Sequence, residues 1–216
     1  MAQGPRWHRR KAARPAEIVE AALEAFAERG FAAAKLEDVA RRAGVSKAAL
    51  YLYFETKEEL FRAVARTAVA ANLDAIEALV AAADLPFSEL TPRLLEGAAS
   101  LMGSGRVPAI ARIVIGEARN FPDLARVWHD DVVARALRIV SGAVAHAQDR
   151  GEAIPGDPRL IAFSIIGPML MGLLYREVFA EVAADAPDLA GLARSHAQAI
   201  LHGLLAEPDP PQRRTT

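Results

Sequence analysis

Leu36-Glu-Asp-Val-Ala-Arg-Arg-Ala-Gly-Val-Ser-Lys-Ala-Ala-Leu-Tyr-Leu-Tyr-Phe54 is the stretch from which the architecture follows. Two short helical segments flank the turn Ala43-Gly44-Val45. The first runs from about Leu36 to Arg42. The second reaches about Phe54, with Ser46 of the type that caps a helix N-terminus. Two short helices crossing at a steep angle need a small residue at the crossing and glycine in the turn. Ala40 and Gly44 meet both needs, and Leu36, Val39, Val45, Leu50 and Phe54 supply the apolar pins. The pattern predicts a helix-turn-helix with Lys47, Ala48, Ala49, Tyr51 and Tyr53 on the outer face of its second helix.

The periodicity is helical in both directions from this window. No run alternates apolar and polar residues as a half-buried strand does, and Ala, Leu, Glu and Arg favour helix. The expected fold is all-α, with about nine helices. A helix from about Pro15 to Arg29 precedes the motif and is stopped by Gly30. Thr56 and Glu59 have the spacing of a capping box and open a long helix from Lys57 to about Ala83. Further helices are expected at about 88–102, 107–119, 120–150, 158–184 and 187–206. The domain organisation is a flexible basic arm over 1–14, a helix-turn-helix domain over 15–57, a larger helical domain over 58–206 and a disordered tail over 207–216.

Charge is distributed unevenly. The net charge is −1. Residues 1–57 nevertheless hold 11 Lys and Arg against 7 Asp and Glu, whereas 58–216 hold 15 against 20. One end suits a polyanion and the rest does not. Arginines of the arm would either enter a minor groove or remain solvated, and the second reading is favoured. There is no Cys, which excludes thiolate chemistry and Cys-based metal sites; with no secretory signal pattern, a cytoplasmic location is expected. Leu160–Leu174 is apolar apart from Ser164, but such a run is shorter than the roughly 20 residues a membrane-spanning helix needs. It is read as a buried core or interface helix, with no membrane partner.

Small residues at 48 and 49 let a helix backbone approach base edges, and Lys47 and the tyrosines can donate to phosphates. The string Gly44-Val-Ser-Lys-Ala-Ala-Leu-Tyr-Leu-Tyr-Phe-Glu-Thr-Lys-Glu-Glu-Leu-Phe61 resembles the recognition-helix signature of the TetR family of repressors. Ile18–Phe31 is similar to that family's opening helix, so the resemblance spans roughly 15–62. It implies a repressor that binds double-stranded DNA, with Lys47, Ala48 and Ala49 at the major groove, Tyr51, Tyr53 and Lys57 at phosphates, Tyr51 also within reach of a base, and Ser46 among the DNA-binding residues. The family's usual Thr or Ser at the start of the second helix is replaced by Ala34 and Lys35. The cap is lost, and Lys35 would serve the phosphate instead.

One helix-turn-helix reads few base pairs, so a homodimer on a palindromic operator is expected. The resemblance places the dimer contact on the last two helices, with Phe163, Ile166, Leu170, Leu173 and Leu174 on one and Leu189, Leu192, His196, Ile200 and Leu204 on the other. It also implies a small, apolar effector in the larger domain, for which Met102, Ile113, Glu117, Trp128, His129, Phe163 and Met169 are the candidate lining. No cofactor and no metal site is expected.

An enzyme is the first rival reading. The histidines lack the His-Glu-x-x-His pair of a zinc hydrolase helix, and there is no Gly-x-Ser-x-Gly or phosphate-cradling glycine loop. Asp130 and Asp131 are adjacent and diverge on a helix. The chain is therefore read as a non-enzyme. A helical scaffold, the second rival, would leave the joint occurrence of Lys47, Tyr51, Tyr53 and the basic first third unexplained.

Overall fold

The computed structural model describes residues 7–82, 85–103, 106–179, 182 and 185–204. Among them the chain is all-α, in the order α1 (Trp7–Ala33), α2 (Leu36–Arg42), α3 (Lys47–Tyr51), α4 (Lys57–Ala82), α5 (Phe87–Gly103), α6 (Arg106–Glu117), α7 (Pro122–Trp128), a π-helical turn (His129–Val133), α8 (Ala134–Asp149), α9 (Pro158–Phe179) and α10 (Leu189–Leu204). Ten α-helices replace the nine expected because the single helix read over 120–150 is α7 and α8 joined by the π turn.

Two boundaries correct the sequence reading. α1 starts at Trp7 rather than near Pro15, so residues 7–14 belong to a helix and not to a flexible arm. Arg, Lys and Ala in this stretch are good helix formers, and they carry the helix back through Pro15 despite the hydrogen bond that proline cannot donate. Residues 1–6 of the expected arm, and the expected tail over 207–216, lie outside the described residues. The second correction concerns α9, which ends at Phe179 rather than near residue 184. Its 22 residues are, by length and composition, enough to cross a membrane.

The chain divides into two compact units, residues 1–74 with 103–135 and residues 75–102 with 136–216. In the first unit, α1, α2 and α3 enclose a core of Ile18, Ala22, Phe26, Val39 and Leu50, extended by Leu60, Phe61 and Val64 of α4 and by Ile110 and Ile113 of α6. Its centre is aromatic. Phe31 lies 5.5, 5.7 and 5.2 Å, centroid to centroid, from Phe26, Phe61 and Phe121. These tilted and edge-on pairings suit the quadrupoles of the rings.

Phe31 reaches that position through a kink in the chain. Gly30 has φ 75° and breaks α1, a conformation glycine adopts at no steric cost. The turn exposes two backbone donors, and Glu117 at the end of α6 satisfies both. Its Oε1 accepts from Phe31 N at 2.5 Å and its Oε2 from Ala32 N at 2.6 Å. Two further ties hold α4 to the helices after it within the unit. Arg66 donates to Asp131 Oδ1 through Nε and Nη2 at 2.9 and 2.8 Å, and Arg135 donates to Asp74 at 2.6 Å. The π turn sets the register that presents Asp131, only 11% exposed, to Arg66.

In the second unit, Leu90 and Leu94 of α5 pack with Ala143 of α8 and with Ile76, Leu79 and Val80 at the end of α4. Glu152 caps α5 by accepting from Phe87 N at 2.7 Å and pairs with Arg150. α9 and α10 pack closely at Gly172, where a Cβ would stand 2.6 Å from Leu192 Cδ2. Asp188 caps α10, accepting from Gly191 N at 2.7 Å, and Asp185 accepts from the Tyr175 hydroxyl at 3.1 Å.

A Cβ on Gly30 would meet Glu117 Oε1 at 2.5 Å, in addition to the left-handed backbone strain. Gly30→Ala is expected to cost about 1–3 kcal/mol of stability, measured by denaturant unfolding. Gly30→Ala with Glu117→Ala should show a smaller loss than the sum of the two single changes, because the second substitution removes the clash.

Candidate nucleic-acid interface

The second helix of the pair is held by few, well-defined contacts. Lys35, at the N-cap of α2, makes no side-chain capping bond, as the Ala34-Lys35 departure predicts; Glu37 and Asp38 in the first turn favour the helix N-terminus instead. Gly44 has φ 66°, which lets Val45 N donate back to Ala40 O at 2.9 Å. Ser46 then caps α3, its Oγ accepting from Ala49 N at 3.1 Å. Leu50 is fully buried and anchors the helix to α2. Thr56 caps α4 by accepting from Glu59 N at 3.1 Å, and Glu59 reaches back to Glu55 N at 2.8 Å, one residue before the reciprocal partner of a standard capping box.

With Leu50 facing inward, the opposite side of α3 faces solvent. Ser46, Lys47 and Ala48 are exposed and Ala49 is half-buried. Tyr51 and Tyr53 are exposed at 41% and 39%. Leu52, between them, is 84% exposed. Sequence reasoning missed it because an apolar residue in an amphipathic window reads as core; its signal was the spacing of two from Leu50, which turns it to the other side of the helix.

The electrostatics of this ridge differ from a simple basic patch. Lys47 Nζ donates to Glu37 in an ion pair between exposed side chains and stands 5.8 Å from the Tyr51 ring centroid. The bond from Lys47 holds the Glu37 carboxyl below its ordinary pKa, and the same bond raises the Lys47 ammonium. Arg42 pairs with Glu28, and Arg29 and Arg41 both pair with Asp38. Lys35 is exposed. Lys57, expected at a phosphate, is half-buried in the free head: its Nζ donates to Ala32 O at 3.1 Å and lies 4.6 Å from the Phe31 ring centroid. Partial burial lowers its pKa, against the opposing charges of Glu117 and Glu58. Its attraction to the ring and to a turn carbonyl outcompetes solvent in the free head.

Residues 18–64, the segment that builds this ridge, match the family model described as bacterial regulatory proteins, tetR family. Residues 92–198 match the model of an AefR-like transcriptional repressor, C-terminal domain. The chain belongs to the TetR family of transcriptional regulators. It is 27% identical over 197 residues to the HTH-type transcriptional regulator YfiR of Bacillus subtilis, covering 87% of this chain and 92% of that one. Its fold matches a TetR-family regulator from Mesorhizobium loti with TM-score 0.76, at 24% identity over 91% of this chain and 99% of that one. It also matches FadR of Bacillus subtilis, solved with stearoyl-CoA, with TM-score 0.71, at 19% identity over 87% of this chain and 98% of that one. As a TetR-family protein the chain is a helix-turn-helix DNA-binding regulator and not an enzyme.

The effector candidates of this TetR-family regulator are divided between the two units. Ile113 is buried in the first unit's core, Trp128 packs against it, Glu117 clamps the turn after Gly30, and exposed His129 meets Asp130 at 2.8 Å. In the second unit Met169 is fully buried, Met102 half-buried and Phe163 exposed. None of the seven lines one cavity of the second unit, of about 270 Å³, whose walls include Val80, Leu85, Phe87, Leu90, His146 and Arg150. These come from separated stretches, and no local pattern marked them.

The dimer candidates divide similarly. Phe163 and Leu170 are exposed, and Ile166, Leu174, Leu192 and His196 are half-buried. His196 Nε2 lies 3.1 Å from Ile165 O. Leu173, Leu189 and Ile200 are buried within the protomer, against the expectation, because α9 and α10 pack on each other. The side chain of Leu204 lies outside the described residues. Exposed Leu160, Met171 and Val178 were not anticipated.

Replacing Glu37 with Gln removes the carboxylate that holds Lys47. Affinity for mixed-sequence duplex is expected to rise, and the slope of log K against log salt to steepen by about one, measured by fluorescence anisotropy across a salt series. Weaker binding with an unchanged slope would show that Glu37 positions Lys47 rather than competing for it.

Proposed function

We propose that this TetR-family regulator is a repressor that binds a palindromic operator as a homodimer and is released by a small, largely apolar effector. The observation that carries the DNA half of this reading is the solvent-facing ridge from Lys47 to Tyr53 opposite buried Leu50. Ser46, Lys47, Ala48 and Ala49 enter the major groove, where small side chains admit the helix backbone and Lys47 exchanges Glu37 for DNA. Tyr51, Tyr53 and Lys35 contact phosphates. Lys57 acts from behind, stiffening the turn that supports the ridge.

Two copies are needed because a single head covers too few base pairs. The apolar residues exposed on α9, Leu160, Phe163, Leu170 and Met171, form the surface for the second copy. Burying them in a helical bundle removes apolar area from water at about 25 cal/mol per Å². This use also accounts for an apolar helix in a DNA-binding protein without a membrane, and fits a cytoplasmic location.

The effector enters the second unit. The cavity beside Phe87 and Leu90 offers an apolar wall with His146 and Arg150 at its edge, and the neighbour solved with stearoyl-CoA supports an apolar molecule. Release requires that the effector prefer the DNA-free conformation, since equal affinity for both states shifts nothing.

Selection of bound duplex from a random pool, followed by a ligand screen for release, tests this reading. On the selected operator, Lys47→Ala and Tyr51→Ala should each cost about 1–3 kcal/mol of binding without changing the thermal midpoint. Phe163→Asp with Leu170→Asp should convert the dimer to a monomer by light scattering and weaken operator binding. A wild-type chain that selects no sequence would overturn the reading.

A further inference from the structure

The helix-turn-helix domain is, by itself, a poor polyanion binder. Residues 15–57 hold six basic side chains and seven acidic ones, a net charge of −1. Four of the six cations, Arg29, Arg41, Arg42 and Lys47, sit in ion pairs with Glu28, Glu37 or Asp38. A fifth, Lys57, donates to a backbone carbonyl. Association with duplex DNA is driven by cations that displace condensed counterions, and this domain offers few that are not already neutralised.

The missing charge lies immediately upstream. Residues 1–14 contain five basic side chains and no acidic one. Four of them, Arg9, Arg10, Lys11 and Arg14, fall inside α1, whose backbone is helical from Trp7 to Arg29 and so joins them to the head through continuous helix. Arg10 and Arg14 are four residues apart and Lys11 and Arg14 three apart, so these positions neighbour one another on the helix surface. A cationic segment fixed to its head loses less freedom on binding than a free tail and adds its charge at a defined place.

We propose that Arg9, Arg10, Lys11 and Arg14 form a phosphate-binding element separate from α3, and that this element supplies most of the salt-dependent affinity for DNA while α3 supplies the selection of sequence. The inference rests on DNA binding by the head. It divides the two tasks between two parts of one domain: an ion-paired ridge that binds weakly where the bases are wrong, and a sequence-blind cationic helix end.

The test compares the full-length chain with R9Q/R10Q/K11Q/R14Q on a mixed-sequence duplex across a salt series, with helix content followed by circular dichroism. Loss of four phosphate contacts in each bound head should flatten the slope of log K against log salt by about 3 to 4 per head, twice that for a dimer with both heads engaged. R9K/R10K/R14K, which keeps the charge, should keep the wild-type slope. If the fourfold variant loses helix, R10Q/R14Q is read instead and should flatten the slope by about 2 per head. A glutamine variant with the wild-type slope, or a lysine variant that falls as far as the glutamine one, overturns the element and leaves DNA binding by α3 standing. A wild-type chain that fails to bind duplex at low salt overturns both.

Discussion

Phe31 occupies the space between Phe26, Phe61 and Phe121 because Gly30 kinks the chain there, and the two amide groups laid open by that kink are taken up by the carboxylate of Glu117. The end of α1, the start of α4 and the end of α6 thereby meet at one point. α2 and α3 are mounted on this frame through Val39, Ala40 and Leu50. Lys57 closes the same turn from the other side, through Ala32 O and the Phe31 ring. α3 has only five residues and would be marginal alone, so its orientation is inherited from these contacts.

Around that frame the charges are arranged for restraint. Ion pairs between exposed side chains add little to stability, and the four pairs that link α1, α2 and α3, with a fifth inside α2, are poorly explained as stabilisers. They do neutralise the cations nearest the reading helix. A head so neutralised has little attraction for arbitrary duplex, and a correct sequence has to compensate Lys47 for the loss of Glu37. Restraint of this kind is one way to raise the ratio of specific to non-specific binding, the quantity that matters where competing sites are abundant.

The sequence was most legible where local chemistry and tertiary packing agree. Gly30 and Gly44 stand at positive φ as breaker and turn, Ser46 caps α3, Leu50 is core, and the lost cap at Lys35 is seen as a missing bond. It was least legible where a side chain's partner lies far along the chain. Glu117 resembled a polar group lining a cavity, but its partners are amides 85 and 86 positions away. Lys57 had the position of a phosphate ligand and was claimed by a ring and a carbonyl of its own domain. Leu173, Leu189 and Ile200 had the composition of an interface, which helical periodicity cannot distinguish from burial by the neighbouring helix. The start of α1 was misplaced because Pro15 reads as a first-turn residue, and only continuity of the backbone shows the helix passing through it.

The account stands on α3 entering a major groove with its exposed side foremost. Dimethyl sulfate probing of the selected operator distinguishes the grooves, since it marks guanine N7 in the major groove and adenine N3 in the minor. The account predicts N7 protection in two clusters separated by about 10 base pairs or a multiple of that spacing, with adenine N3 unprotected at the same positions. Protection confined to adenine N3, or a single unpaired cluster, would contradict it.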